Sequence, residues 1–316
     1  MNAFASKLES FSNLLDLIGN TPLLKLTHIS KISGNNIFAK LELMNPSGSI
    51  KDRIVLKIIE NAEKEGILKK NSSIVEATTG NTGISLAMIA CLKGYKSIIF
   101  MPDGISKEKV KMMEAFGAKV IKVKAEMKKV LERAREFSEK RKAFFLNQFE
   151  RYENVEANFK TGEEIFKQTD GKIDFFVAGI GTGGTLIGVA KFLKKKLPGV
   201  KIIAVEPKEV PALYSKFYDK KLKIEKTHLI EGIGEGFVPK IIEENLELID
   251  EVVLVESKEA LKMMKILAEK EGIFAGISSG ANVFASLKIS KNLKNKNIVT
   301  VLPDRGERYF SKNVFS

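Results

Sequence analysis

The sequence predicts an α/β fold in which mostly parallel strands are covered by helices. Short apolar runs rich in β-branched residues alternate along the chain with longer segments whose apolar residues recur at helical spacing. Alternation of this kind is typical of βαβ units, in which each helix crosses back over a parallel sheet. Glycine-rich and hydroxyl-rich stretches lie between several of these segments, where such folds bind their ligands.

The predicted strands and helices alternate along most of the 316 residues. Strands are predicted at residues 23–26, 37–43, 73–76, 97–101, 119–123, 143–146, 175–178, 202–205, 252–255 and 298–302. Helices are predicted at residues 11–18, 50–65, 81–93, 107–116, 127–140, 153–169, 183–195, 258–271 and 280–289. Because these strands are many for one sheet, we expect two lobes that divide near residues 148–158 and bind a ligand between them.

The composition favours an enzyme of small molecules over a protein that binds nucleic acid or membranes. The net charge is +13, but the lysines are scattered and lack interleaved aromatic residues, so we interpret them as solvated faces. No run approaches the roughly 20 apolar residues of a membrane span. The single cysteine, Cys91, cannot form an internal disulfide, and we expect it to pack within an apolar helix of a cytoplasmic protein.

The most informative stretch is residues 45–53, Asn-Pro-Ser-Gly-Ser-Ile-Lys-Asp-Arg. A predicted strand precedes it and a predicted helix follows it, with Ser47 or Ser49 available to cap that helix. Lys51 then falls in the first helical turn, where the positive end of the helix dipole disfavours an ammonium group. Two interpretations stay open from these residues: a solvated lysine, or an amine of lowered pKa that can form a Schiff base.

Three further loops follow strands or begin helices. Residues 78–83, Thr-Thr-Gly-Asn-Thr-Gly, bring hydroxyl, amide and N–H groups to a helix start and suit a carboxylate. The glycines in residues 179–185, Gly-Ile-Gly-Thr-Gly-Gly-Thr, let the backbone approach an anion and predict a phosphate site. Residues 276–281, Gly-Ile-Ser-Ser-Gly-Ala, are again rich in hydroxyls. Each loop alone could be a tight turn, but together with residues 45–53 they indicate one composite site.

A dinucleotide-binding enzyme is the alternative that the second loop leaves open. Gly179, Gly181 and Gly184 satisfy G-x-G-x-x-G, and Glu206 lies about where a ribose-binding acid is found. That fingerprint usually begins the first βαβ unit of a chain, whereas here it lies past the midpoint, and it leaves Lys51 without a role. An NAD-dependent dehydrogenase is therefore a distant alternative.

The four stretches together resemble the cysteine synthase family, which comprises O-acetylserine sulfhydrylases and the related cystathionine β-synthases. The resemblance runs from about residue 16 to residue 309, and its further matches are at residues 18–23, 148–149, 154, 158, 205–207, 232–234, 302–304 and 306–309. It implies the tryptophan synthase β-like architecture of fold type II pyridoxal-phosphate enzymes, with a mostly parallel sheet in each lobe. Residues 46–148 would form the smaller lobe, and residues 1–45 plus 149–316 the larger.

The resemblance implies pyridoxal 5′-phosphate as the cofactor. Lys51 would hold it as a Schiff base and, once released, would take the substrate's Cα proton. Asn81 would hydrogen-bond the cofactor's 3′ oxygen. Ser278 would face the pyridine nitrogen and, unlike an aspartate, would leave it unprotonated, which suits β-elimination over transamination. The cofactor phosphate would lie on the loop residues Gly181, Thr182, Gly183, Gly184 and Thr185.

The resemblance also implies where the substrate binds. The residues that would form the substrate site, chiefly around its α-carboxylate, are Thr78, Thr79, Asn81, Thr82, Gln148 and Gly232. A bound metal is not expected, because the chain has no Cys/His cluster. The family further implies a homodimer.

Two glutamates depart from the pattern of many cysteine synthases, which have Gln and Ala at these positions. Glu231 resembles the cystathionine β-synthase branch and could position the ammonium group of a second amino acid. Glu235 either turns outward to solvent or points into the cleft. In the cleft its charge would oppose bisulfide, and its carboxylate could assist water or a thiol as a base.

The expected reaction is a β-replacement that makes L-cysteine from O-acetyl-L-serine and sulfide. The alternative is a β-replacement on cysteine or serine that releases hydrogen sulfide or forms cystathionine or lanthionine. The four loops imply the reaction class, whereas the choice of donor and acceptor depends on Glu235.

Overall fold

The computed structural model describes residues 11–225 and 228–315. It has an α/β fold with two mostly parallel sheets flanked by helices, as the sequence predicts. The part of the expected larger lobe formed by residues 1–10 lies outside the described residues.

The strands and helices alternate along the described chain. The strands are β1 Leu23–Lys25, β2 Asn36–Lys40, β3 Ser73–Ala77, β4 Lys96–Pro102, β5 Lys119–Val123, β6 Phe144–Phe145, β7 Phe175–Gly179, β8 Lys201–Pro207, β9 Glu251–Val255 and β10 Asn297–Val301. The helices are α1 Thr27–Ser33, α2 Lys51–Lys64, α3 Asn81–Lys93, α4 Lys107–Ala115, α5 Met127–Arg141, α6 Glu153–Gln168, α7 Gly184–Lys196, α8 Ala212–Phe217, α9 Lys240–Glu243, α10 Ser257–Glu271 and α11 Ile277–Ser290.

The two sheets take their strands from different parts of the chain. The four-stranded sheet has the order β5-β4-β3-β6 and is parallel throughout. The six-stranded sheet has the order β1-β2-β10-β7-β8-β9 and is parallel except for the β1–β2 pair. The carboxyl ends of parallel strands meet at one edge of a sheet, so the loops after β3 and β7 lie where α/β folds bind ligands.

Each sheet has an apolar core on both faces, which explains why its strands are almost continuously apolar. In β7, Val177 packs into the core on one face, and Phe176 and Ala178 pack into the core on the other. In β3, Ile74 and Val75 are divided in the same way. Successive side chains of a strand point to opposite faces, so both faces need apolar residues once helices cover them.

A buried ion network holds the start of α2 against the N-terminal segment. Arg53 donates from Nε to Glu42 Oε2 at 2.7 Å and from Nη1 to Glu164 Oε1 at 2.7 Å. Lys40 Nζ lies 2.6 Å from Glu164 Oε2, and Thr21 Oγ1 donates to Glu42 Oε1 at 2.7 Å. Since Arg53 is two residues after Lys51, this network also fixes where Lys51 lies.

Several local predictions were wrong in their boundaries. The expected helix at 11–18 is a single 3₁₀ turn, Leu14–Leu17. The strand expected at 37–43 ends at Lys40, because the chain turns at Glu42–Met44 so that Glu42 can face Arg53. Helix α11 begins three residues earlier than expected, which places Ser278 inside its first turn.

The short helices α1, α8 and α9 were not predicted, since helices this short depend on tertiary packing and have little periodicity of their own.

Cys91 is exposed, so the expectation that it packs inside the protein is wrong. In the part of the chain that the structure describes, no helix combines the length and apolar character needed to cross a membrane.

Candidate active site

Lys51 is the first residue of α2 and lines two adjoining cavities between the two sheets. Burial lowers the pKa of Lys51 to about 8, although the carboxyl groups of Glu235, Glu76 and Asp304 oppose that shift. A solvated lysine would keep a pKa near its ordinary value. The structure therefore favours an amine whose neutral form is accessible near neutral pH.

The turn before Lys51 is held by a buried carboxylate rather than by a serine cap alone. Asp52 accepts a hydrogen bond from Ser47 N at 2.7 Å, one from the Ser47 hydroxyl and one from Ser85 Oγ at 2.5 Å. Ser49 Oγ accepts only a long bond from Lys51 N, at 3.3 Å. Ser47 thus stabilises the turn through Asp52, which no spacing rule indicated.

The first cavity lies beside the glycine loop and the start of α11. The residues that line it are Ile50, Lys51, Asn81, Ala178, Gly179, Gly181, Thr182, Gly183, Thr185, Gly232, Ile233, Ser278, Asn282, Val301 and Pro303. Of the residues expected to bind the cofactor, only Gly184 is absent from this lining. A Cβ at Gly184 would lie 1.8 Å from Asn154 Oδ1, so its missing side chain makes room for Asn154 instead.

Two segments of backbone approach each other closely at the floor of this cavity. A Cβ on Gly181 would lie 2.4 Å from the carbonyl oxygen of Gly232, so only glycine fits there. Asn154 donates from Nδ2 to Thr182 Oγ1 at 2.8 Å and to the Gln148 carbonyl at 3.0 Å. These contacts hold the glycine loop against the segment that carries Gln148.

The first cavity fits pyridoxal phosphate. The glycine loop leads into α7, whose first N–H groups and dipole suit a phosphate. Ile233 and Val301 give the cavity apolar walls, and the Ser278 hydroxyl lies at its side. Asn282 donates to Val301 O, but its buried Oδ1 finds no hydrogen-bond partner among residues 11–225 and 228–315, which suits a polar ligand group.

The second cavity contains every residue expected to bind substrate. It is lined by Lys51, Thr78, Thr79, Asn81, Thr82, Lys109, Met127, Gln148, Phe149, Gly181, Thr182, Gly232 and Glu235. Thr82 Oγ1 donates to Gln148 Oε1 at 2.6 Å, which joins the start of α3 to the segment after β6. Lys51 and Asn81 belong to both cavities, so a cofactor and a substrate would meet there.

Glu235 points into the second cavity, and the outward orientation that the sequence left open is wrong. Burial raises the pKa of Glu235, and the nearby Lys51 opposes the shift. A carboxyl group whose pKa is raised in this way, facing a cavity, is a candidate for proton exchange with a bound group.

Glu231 has both of its carboxylate oxygens paired within the chain. Lys312 Nζ lies 3.0 Å from Oε1, and Lys109 Nζ donates to Oε2. Burial raises the pKa of Glu231, but the two ammonium groups outweigh it and hold that pKa below its ordinary value. The expectation that Glu231 positions the ammonium group of a second amino acid is therefore not supported.

Lys109 is a cavity residue that the sequence did not single out. It is buried, lies 4.5 Å from the centre of the Tyr309 ring and passes over the loop at residue 80. A Cβ on Gly80 would lie 2.3 Å from Lys109 Cδ, so glycine makes room for the lysine. Lys109 belongs to a lysine-rich helix, and no sequence signal separates it from its solvated neighbours.

In the described part of the chain, no group of three or more His, Cys, Asp or Glu residues is placed to hold a metal ion.

A family model described as pyridoxal-phosphate dependent enzyme matches residues 14–304. The chain belongs to the pyridoxal-phosphate-dependent enzyme family. Within this family it is 41% identical over 309 residues to the cysteine synthase of Staphylococcus aureus strain Mu50, covering 96% of this chain and 97% of that relative. Its cofactor is pyridoxal phosphate, and it catalyses β-replacement.

Solved structures of the same family support this assignment. A cysteine synthase from Entamoeba histolytica superposes with a TM-score of 0.90 at 37% identity, over 100% of this chain and 94% of that one. A hydrogen sulfide-producing enzyme from Fusobacterium nucleatum superposes with a TM-score of 0.88 at 44% identity, over 96% of this chain and 99% of that one.

The dehydrogenase alternative is wrong. Besides the family match, the acid that would have bound a ribose is engaged elsewhere. Glu206 is buried and accepts hydrogen bonds from Leu213 N at 2.8 Å and Tyr214 N at 2.9 Å, at the start of α8. Its carboxylate stabilises that helix end.

Proposed function

We propose that this enzyme makes L-cysteine from O-acetyl-L-serine and sulfide. The observation that carries the proposal is the pair of adjoining cavities that share Lys51. One cavity fits pyridoxal phosphate, and the other is lined by hydroxyl, amide and charged groups that suit a small amino acid. The names of the Staphylococcus and Entamoeba relatives support the same reaction.

The α-carboxylate of the substrate would lie against the start of α3. Thr78, Thr79 and Thr82 contribute hydroxyl groups to the cavity there, and the first N–H groups of a helix favour an anion. Gln148 also lines this cavity and accepts a hydrogen bond from Thr82. A substrate held in this way would have its Cα towards Lys51.

Lys51 would act as the base that takes the Cα proton. Pyridoxal phosphate, when bound, withdraws electrons from the substrate and makes that proton acidic. The lowered pKa of Lys51, about 8, gives a useful fraction of neutral amine near neutral pH. Ser278 is buried beside the cofactor cavity and offers a neutral hydroxyl to the ring, in keeping with a cofactor that supports elimination.

A second candidate function is the release of hydrogen sulfide from cysteine, and Glu235 favours it. An ionised Glu235 would disfavour bisulfide by on the order of 1–3 kcal/mol at a partly screened site. A thiol or water that must lose a proton would instead benefit from this carboxylate. The Fusobacterium relative, which is named as hydrogen sulfide-producing, supports this candidate.

One set of assays distinguishes the two candidates. Sulfide consumed with O-acetylserine and sulfide released from cysteine are measured for the wild type, Glu235→Gln and Lys51→Ala. If the enzyme is a cysteine synthase, the consumption of sulfide with O-acetylserine is the faster reaction, and Glu235→Gln leaves its rate unchanged or raises it. The second candidate predicts that sulfide release dominates and that Glu235→Gln abolishes it.

A second measurement on the same proteins, the visible absorbance of the lysine-bound cofactor, tests the family chemistry. We expect this absorbance in the wild type and its loss in Lys51→Ala. Lys57→Ala is the control, because Lys57 lies on the same helix and pairs with Glu156 at the surface. A colourless wild type, or equal loss in both variants, would contradict the proposed role of Lys51.

The subunit organisation also belongs to the proposal. The boundary of the smaller lobe at residues 46–148 is supported by the four-stranded sheet, whose strands all fall within that range. The resemblance to cysteine synthases supports a homodimer, and sedimentation as a monomer at micromolar concentration would contradict it. The exposed thiol of Cys91 is compatible with the reducing cytoplasm, where we place the enzyme.

A further inference from the structure

The amide of Asn81 is held on both sides by the C-terminal segment. Its Nδ2 donates to Asp304 Oδ2 at 2.7 Å, and its Oδ1 accepts from Arg308 Nη1 at 2.5 Å. Asp304 follows β10, and Arg308 belongs to the 3₁₀ helix Gly306–Lys312. Two residues more than 200 positions away in the chain therefore contact the first residue of α3.

These partners leave the Asn81 amide only one orientation. A guanidinium group can only donate hydrogen bonds, and an ionised carboxylate can only accept them. A flipped amide would place its NH₂ group against Arg308 and its oxygen against Asp304, and both bonds would be lost. In the observed orientation one N–H of the Asn81 amide donates to Asp304, and this bond leaves the other N–H available. Asn81 lines both cavities.

Each of the two partners makes a further hydrogen bond. Tyr309 OH donates to Asp304 Oδ2 at 2.5 Å, and Arg308, which is fully buried, also donates to the carbonyl oxygen of Ser47. Two glycines make room for them. A Cβ on Gly276 would lie 2.0 Å from Asp304 Oδ1, and a Cβ on Gly48 would lie 2.7 Å from Arg308 Nη2.

We propose that Asp304 and Arg308 are positioning residues that orient the Asn81 amide so that its free N–H group faces the cofactor. This inference rests on the proposed function, since it needs Asn81 to contact the cofactor. Neither residue touches the reacting atoms under this proposal. Each acts through Asn81, and Gly48 and Gly276 leave the room that Arg308 and Asp304 occupy.

A double-mutant cycle tests the proposal with cofactor affinity as the readout. Pyridoxal phosphate is titrated into the apoenzyme of the wild type, Asn81→Ala, Arg308→Lys and the double variant. We expect Arg308→Lys to weaken binding about tenfold in the wild type and less than twofold in the Asn81→Ala background. Arg305→Lys is the control: Arg305 lies in the same segment, is partly exposed and donates to Leu43 O, and we expect it to leave affinity unchanged.

The outcome separates a positioning role from a structural one. If the effects of Arg308→Lys and Asn81→Ala simply add, or if either single variant binds the cofactor as the wild type does, the proposal is overturned. If Arg308→Lys does not fold, Asp304→Asn repeats the cycle from the other side of the amide. A wild type that binds no cofactor overturns the proposed function as well, whereas normal binding with additive effects overturns only the positioning role.

Discussion

Lys109 of α4, which lines the substrate cavity, forms a salt bridge with Glu231 of the segment before α9. Lys312 approaches the other oxygen of Glu231, so this one carboxylate links α4 to the C-terminal segment. The Glu231 side chain is partly exposed, at 17%, whereas that of Lys109 is buried, at 2%. It therefore holds the Thr78–Asn81 loop through Lys109, which passes over Gly80.

We expect Glu231→Gln to weaken substrate binding and stability together. The substitution leaves the ammonium groups of Lys109 and Lys312 without a counter-charge, and losing the partner of a largely buried polar group costs about 1–3 kcal/mol. KM for the amino-acid substrate should rise severalfold, with a smaller change in kcat. Glu243→Gln, which breaks the exposed pair with Lys216, is the control and should stay within about 0.5 kcal/mol of the wild type in urea unfolding. Equal effects of the two variants would contradict this role.

The reaction of Lys51 with cofactor should follow the titration of its amine. Because burial lowers the pKa of Lys51 to about 8, the neutral amine becomes the main form as the pH rises through 8. The rate at which apoenzyme and pyridoxal phosphate develop visible absorbance should therefore rise with pH, with a midpoint near 8. Glu235 raises the pKa of Lys51, so Glu235→Gln should move that midpoint to lower pH. A midpoint unmoved by Glu235→Gln would show that the two groups are not coupled.

Gly181→Ala should abolish tight cofactor binding. The new Cβ would lie 2.4 Å from the carbonyl oxygen of Gly232, so one of the two backbones that form the floor of the cavity must move. We expect the dissociation constant for pyridoxal phosphate to rise at least about tenfold. Gly199→Ala is the control, since a Cβ there meets nothing within 4 Å. If Gly181→Ala binds the cofactor as tightly as Gly199→Ala does, the loop does not form the phosphate site.

Arg53→Met should destabilise the protein far more than an exposed arginine substitution. It leaves the buried Glu42 and the half-buried Glu164 without the guanidinium that neutralises them, and losing one partner of a buried network costs about 3–5 kcal/mol. Arg135→Met, at the exposed pair with Glu150, should cost less than about 1 kcal/mol. The free energy of unfolding in urea measures both. Similar losses would mean that the network contributes little.

The local features of this site were predictable because they depend on short-range chemistry. The Thr78–Gly83 and Gly179–Thr185 stretches combine glycines, hydroxyls and a following helix, and each property can be recognised within a few residues. Lys51 stood out because of its place in the first turn of a predicted helix. These observations sufficed for the fold class and for the set of loops that meet at the two cavities.

The sequence by itself determined the alternation of strands and helices and the loops that bind ligands. Only the tertiary structure decided that Glu235 points inward, that Glu231 is paired with two lysines and that Glu206 caps α8. The physical reason is that the direction and the partners of a charged side chain depend on residues distant in the chain, which lie beyond the reach of helical or strand periodicity. Lys109 shows this most directly, because its burial depends on Glu231 and on the room left by Gly80.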